Sequence, residues 1–267
     1  MESLGDTRQS DRMRQIYFKR LSTHSPEEKT DKQLVALVLE HAKKVIAHPS
    51  RPMLLRTDSF ARNPFADLAI EETLEENPFL DNPEDLIVQF PEEKPFSCVA
   101  MLDTSSSMSG DKHLLASIAV AVLILEVPSV DHSVVVFNSD SKPIKKMAFE
   151  EKVEETLLRF LKVQPRGFTN LALGLETGIK ELQGQATTKR KIGLLATDGR
   201  TTEGKDPLEV AKQFDFLVVL HLCGPGSDLS SSQEIAQAGH GICLEVEKFE
   251  DLPHRLYESL RMLARLA

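Results

Sequence analysis

The chain has 267 residues, 41% hydrophobic and 27% charged, enough for one large domain or one domain plus an extension. With 41 acidic and 32 basic residues its formal net charge is −9, which argues against a basic surface of the kind that grips nucleic acid or an anionic membrane. Its three cysteines (Cys98, Cys223 and Cys243) form no C-x-x-C pair, so they read as reduced thiols suited to a cytosol and not as a disulfide framework or zinc cluster.

The N-terminus has no apolar signal-like core, and the most apolar run, 116–125, is too short to span a bilayer. A soluble cytoplasmic protein is expected. Residues 1–28 are polar and read as a mobile lead-in. A helix is predicted over 31–48, where Leu34, Val35, Leu37, Val38, Ala42, Val45 and Ile46 recur at mostly helical spacing before Pro49. A short acidic helix is expected over 66–76, and a Pro- and Asn-rich loop over 77–85. Residues 1–92 are therefore expected to form a helical extension, with the main domain at 93–267.

From residue 96 the texture alternates. Strands are predicted at 96–102, 133–137, 191–196, 216–222 and 241–246, with 142–149 as an edge strand beside 133–137. Helices are predicted at 112–126, 150–161, 170–182, 207–213, 230–238 and 249–266. Strands that alternate with helices make parallel βαβ units, and apolar two-sided strands belong to a sheet covered on both faces. The fold class expected is α/β, doubly wound and Rossmann-like: a six-stranded, mostly parallel sheet with one antiparallel edge strand.

Ligand sites of such sheets lie beyond the carboxyl ends of the strands. Asp103, Ser105 and Ser107 follow the first of these strands at i, i+2, i+4 spacing, which turns them to one side of an extended loop. Asp198 follows the strand at 191–196, and Thr169 stands just before a helix. All five offer hard oxygen ligands, which suit Mg²⁺, Mn²⁺ or Ca²⁺ and give zinc neither sulfur nor imidazole. Hydroxyls bound directly, with carboxylates one shell out, would leave the ion electrophilic and its open position receptive to an anion.

These elements, Asp103-Thr104-Ser105-Ser106-Ser107, Gly167-Phe168-Thr169 and Thr197-Asp198-Gly199, resemble the von Willebrand factor A domain over about residues 93–267. The resemblance implies a metal-ion-dependent adhesion site (MIDAS) in which Ser105, Ser107 and Thr169 reach the metal. Asp103 and Asp198 would act directly or through water, and a partner's Asp or Glu would complete the shell. Ser106 stands where many members have Gly, at a position that is not a ligand. The acidic lead-in (Leu74-Glu75-Glu76-Asn77-Pro78 to Pro83-Glu84-Asp85-Leu86) resembles bacterial relatives that work with MoxR-type or magnesium-chelatase-type AAA+ ATPases, which implies such an ATPase as a partner in trans.

Other motifs carry less. Residues 199–206 nearly spell a P-loop, but Asp206 stands where a hydroxyl must hold Mg²⁺, and Asp206 reads better as the cap of a helix that opens with Pro207. Asp103 as an aspartyl-phosphate nucleophile lacks a second acid at Ser105, and no G-x-S-x-G elbow surrounds the serines. Lys112 and His113 are the nearby acid–base candidates and read as surface groups at a helix start. The expectation is an interaction module and not an enzyme; a metal-dependent phosphotransferase or hydrolase using Asp103, and a metal-independent scaffold, are the competing readings.

Overall fold

Strand β4 (Phe96–Asp103) lies at the centre of the protein, and residues 97–103 are all buried. In the computed structural model it is flanked by β5 (His132–Phe137) and β7 (Arg190–Thr197), parallel on both sides. Strand β8 (Phe216–Leu222) follows β7, and β9 (Ile242–Val246) follows β8, again in parallel. The edge strand β6 (Ser141–Lys145) runs antiparallel to β5, with an irregularity between Val134 and Val135. Pro143 sits in that edge strand, where a missing N–H costs no central ladder bond. The sheet order is β6-β5-β4-β7-β8-β9, and the six-stranded, mostly parallel sheet with one antiparallel edge strand is the one expected. The structure describes residues 3–22, 28–46, 55–62, 67–76, 82, 85–91, 96–127, 131–184 and 190–247. The helix predicted over 249–266 lies outside them.

Alternate side chains of a strand leave opposite faces. Val99 and Met101 of β4 pack with Val135, Phe137, Leu195 and Val219 under α6 (Leu171–Gln183), the short α7 (Leu208–Ala211) and α8 (Leu229–Ala238). The intervening Cys98, Ala100 and Leu102, also fully buried, point to the layer that holds α4 (Asp111–Glu126). Every residue of α4 from His113 to Ile124 is buried. A helix apolar all round needs cover on both sides. Helices α1 (Ser3–Ser22) and α2 (Glu28–Ile46) and the amphipathic α5 (Val153–Lys162) supply that cover.

The N-terminal region contains elements that its sequence pattern does not announce. The polar stretch at 1–28 contains the 20-residue helix α1. Of its few apolar residues Met13 and Tyr17 are buried while Phe18 is exposed, so tertiary packing holds it and not an apolar stripe legible in sequence. Residues 1–92 also contain strands. The chain divides into two units, the larger containing α1, α2 and the six-stranded sheet. The smaller is a three-stranded antiparallel sheet of β1 (Leu55–Ser59), β3 (Ile87–Pro91) and β2 (Asp67–Leu68) with α3 (Ile70–Glu76). Of its strands, β1 and β3 pair across more than two dozen intervening residues, and all three are too short to show a period of two.

Candidate metal centre at the carboxyl edge of the sheet

Asp103 is the last residue of β4, and its side chain is wholly buried. The Ser105 backbone N–H donates to its Oδ1 at 2.8 Å, and the Thr197 hydroxyl donates to its Oδ2 at 2.8 Å. Both oxygens are thus engaged and turned away from solvent, which is poor geometry for an attacking nucleophile. Burial pushes the Asp103 carboxyl up to about 6; the Ser105 and Thr197 hydrogen bonds oppose that rise, and the nearby Asp198 carboxylate adds to it. A cation at this place would reverse the penalty.

Ser105 and Ser107 project into the same mouth, with Oγ atoms 3.2 Å apart. Two ligands at right angles on Mg²⁺, each about 2.0–2.1 Å from it, lie about 2.9 Å apart, so the hydroxyl pair is close to the spacing that an octahedral edge requires. A single 3-10 turn at Ser106–Met108 sets this geometry, with Met108 buried beneath it.

Thr169 is brought to the serines by a stitched loop. The Ser106 N–H and hydroxyl both donate to the Gly167 carbonyl, at 3.2 and 3.1 Å, and the Arg166 N–H donates to the Thr104 carbonyl at 2.8 Å. On its other side the Thr169 N–H donates to the Thr202 hydroxyl at 2.8 Å, and the Thr169 carbonyl accepts from the Thr202 N–H at 3.0 Å. The Thr169 hydroxyl makes no hydrogen bond among the described residues.

Asp198 follows β7 and is likewise wholly buried. Its Oδ2 accepts from the Lys112 ammonium at 2.9 Å, and its Oδ1 accepts from the Arg200 N–H at 3.3 Å. The turn that aims it depends on Gly199, at φ +79°, where a Cβ would lie 2.0 Å from the Asp228 carbonyl oxygen. The structure therefore brings all five expected residues, Asp103, Ser105, Ser107, Thr169 and Asp198, to the carboxyl edge of adjacent parallel strands.

Sequence reasoning missed two partners. Thr197 orients Asp103, a role visible only once β4 and β7 are known to be neighbours. Lys112 reads in the sequence as a surface group, but its side chain is 12% exposed and pairs with Asp198. His113, grouped with it, is buried, stacked on Phe160 at 4.5 Å, and far from an acid–base role. His221 and His240 have ordinary partners in Ser232 Oγ and the Phe214 carbonyl. Asp206 accepts from the Leu208 N–H at 2.9 Å, a local cap at the start of α7 and not a phosphate loop.

The donor set fits a hard divalent cation. The Ser105 and Ser107 hydroxyls lie together, the Asp103 and Asp198 carboxylates are buried beside each other, Thr169 stands on the loop stitched to Ser106, and the Lys112 ammonium pairs with Asp198. Among the described residues there is no cluster of three or more His, Cys, Asp or Glu side chains that competes as a metal site.

The doubly wound sheet with this oxygen-rich edge defines a class of interaction domain. Residues 98–258 match the model of the von Willebrand factor type A domain, and the chain belongs to that family. Among solved structures it is similar to an aerotolerance-related membrane protein from Bacteroides fragilis, with 16% identity and a TM-score of 0.53 over 64% of this chain and 100% of that one. BatB from Bacteroides thetaiotaomicron is 18% identical, with a TM-score of 0.52 over 64% of this chain and 99% of its own. Proximal thread matrix protein 1 from the mussel byssus, solved with a zinc-occupied MIDAS motif, is 20% identical, with a TM-score of 0.53 over 65% of this chain and 48% of its own. At these identities the likeness concerns the fold. No curated protein matches the sequence. Among the described residues no helix is long and apolar enough to cross a membrane.

Proposed function

We propose that this protein is a metal-dependent interaction module whose ion, Mg²⁺ or else Mn²⁺ or Ca²⁺, is held by Ser105, Ser107 and Thr169, with Asp103 and Asp198 behind them. The observation that carries the reading is the convergence of two wholly buried carboxylates, from the ends of β4 and β7, on a hydroxyl pair 3.2 Å apart. Burying two such groups is costly unless a cation compensates them. The protein-interaction character of the family supports the reading, as does the zinc-occupied MIDAS motif of the mussel protein. The ion's remaining position would accept a carboxylate from a protein partner.

The partner we favour is a cytoplasmic AAA+ ATPase of MoxR or magnesium-chelatase type, which this protein would couple to a substrate. The acidic segment at 74–86 supports that choice. Nucleic acid and membrane partners fit the net charge of −9 poorly. The phosphotransferase reading is disfavoured because both Asp103 oxygens are already hydrogen-bonded and buried.

The decisive experiment is Mn²⁺ binding by paramagnetic resonance on wild type, Ser105→Ala and Thr169→Ala, with folding checked by circular dichroism. Loss of binding in both variants, with fold retained, supports the site. Undiminished binding in both, or none in wild type, refutes it.

A further inference from the structure

Lys112 stands in the first turn of α4. That is the positive end of the helix dipole, where a cation is disfavoured. Its ammonium is nevertheless fixed 2.9 Å from Asp198 Oδ2, with 12% of the side chain exposed against none for Asp198. The fold also makes room for it. Beyond the end of β8, a Cβ on Gly224 would lie 2.7 Å from Lys112 Cε and 3.1 Å from Nζ. The end of the lysine thus lies against the Gly224 backbone, where an added Cβ would displace it.

The charge count then has a consequence. Asp103 and Asp198 contribute −2 and Lys112 +1, so the site is −1 without an ion and +1 with a divalent one. Without the lysine, a divalent ion would neutralise the carboxylates and need no further anion. With it, the loaded site keeps a positive charge at low dielectric, where such a charge is costly until an anion arrives.

Resting on the metal site proposed above, we propose that Lys112 couples metal loading to carboxylate capture. It weakens binding of the ion alone and strengthens binding of the carboxylate to the loaded site. Coupling of this kind is reciprocal. The carboxylate must raise the metal affinity by the factor by which the metal raises the carboxylate affinity.

The test measures Mn²⁺ affinity of the full chain by paramagnetic resonance, with and without sodium acetate, chloride being used to match ionic strength. Wild type is expected to bind Mn²⁺ more tightly in acetate. Lys112→Met is expected to bind Mn²⁺ alone about tenfold more tightly, on the scale of one screened charge pair, and to show a smaller acetate effect than wild type. Lys112→Arg, which keeps the charge, should keep the acetate effect. Gly224→Ala, which keeps the lysine but crowds it off Asp198, should shift towards Lys112→Met. Equal Mn²⁺ affinity in wild type and Lys112→Met, or an acetate effect as large in Lys112→Met as in wild type, overturns the coupling and leaves the metal site standing. No Mn²⁺ binding by wild type or by folded Lys112→Met overturns both.

Discussion

Replacing His113 with Phe should make the protein markedly less sensitive to mild acid. The imidazole is wholly buried between Phe160, 4.5 Å away and stacked, and Tyr17, 5.9 Å away. Neither ring nitrogen has a hydrogen bond of good geometry, although the Phe160 backbone lies near enough to favour the charged ring slightly. Burial, reinforced by the nearby Arg20 guanidinium, pushes it down from 6.5 to about 4. The folded value is depressed, so the neutral ring's contribution is fully present above about pH 6.5 and is lost as pH falls towards 4. At about 1.4 kcal/mol per pH unit the whole span is worth about 3 kcal/mol, of which about 2 is realised by pH 5. Asp103 works the other way: its folded value of about 6 lies above 3.8, so acid favours the fold through that group. Both chains share that term, and their difference removes it. Urea unfolding of wild type and His113→Phe between about pH 7.5 and 5 is the assay. Wild type should lose about 2 kcal/mol more than the variant, and the variant should be the more stable at neutral pH, since an unsatisfied buried polar group is gone. Parallel pH curves for the two chains would refute the buried neutral histidine.

Other perturbations follow from the same packing. Gly199→Ala forces a Cβ to within 2.0 Å of the Asp228 carbonyl at φ +79°, and should cost at least about 2 kcal/mol, lower Tm by roughly 5 °C and abolish Mn²⁺ binding with it. Arg20 is buried, pairs with Asp31 and donates to the Leu161 carbonyl, tying α1, α2 and α5. Arg20→Met should therefore cost about 3–5 kcal/mol in urea unfolding, and adding Asp31→Leu should recover most of it, because the loss comes from a stranded carboxylate. Tyr17→Ala opens a cavity beside His113 and should cost about 3–5 kcal/mol, with Mn²⁺ affinity shifting in the direction of Lys112→Met; unchanged affinity would mean that the helices only shield α4.

The central sheet was legible because a strand buried on both faces must be written as a nearly continuous apolar run, as at 96–102 and 216–222. Asp103, Ser105, Ser107 and Asp198 were legible because they follow such runs closely, and strand ends are where an open parallel sheet presents its loops; Thr169 was legible only from its place before a helix. What escaped was set by partners distant in sequence. Nothing local tells Lys112 that Asp198, 86 residues on, will meet its ammonium, or tells Thr197 that Asp103 lies one strand away. The same holds for α1, which carries few apolar residues and gains its place from Tyr17 and Met13 inserting beside α4. The β1–β3 pairing is likewise non-local, and neither strand contains a run long enough to announce itself.

The first turn of α4 joins these observations. Three consecutive side chains leave it in three directions: Asp111 accepts from Arg14 of α1 at 3.1 Å, Lys112 donates to Asp198 at 2.9 Å, and His113 enters the space between Tyr17 and Phe160. Successive helical residues are about 100° apart, so one turn can address a flanking helix, the sheet edge and a core at once. It also means that none of the three contacts moves alone. A shift of α4 that lengthens the Lys112–Asp198 bond must also disturb a buried ring with no hydrogen bond of good geometry and an ion pair to α1. The N-terminal helices therefore help to fix the charge that the metal and its carboxylate would meet, although they contribute no ligand to the site.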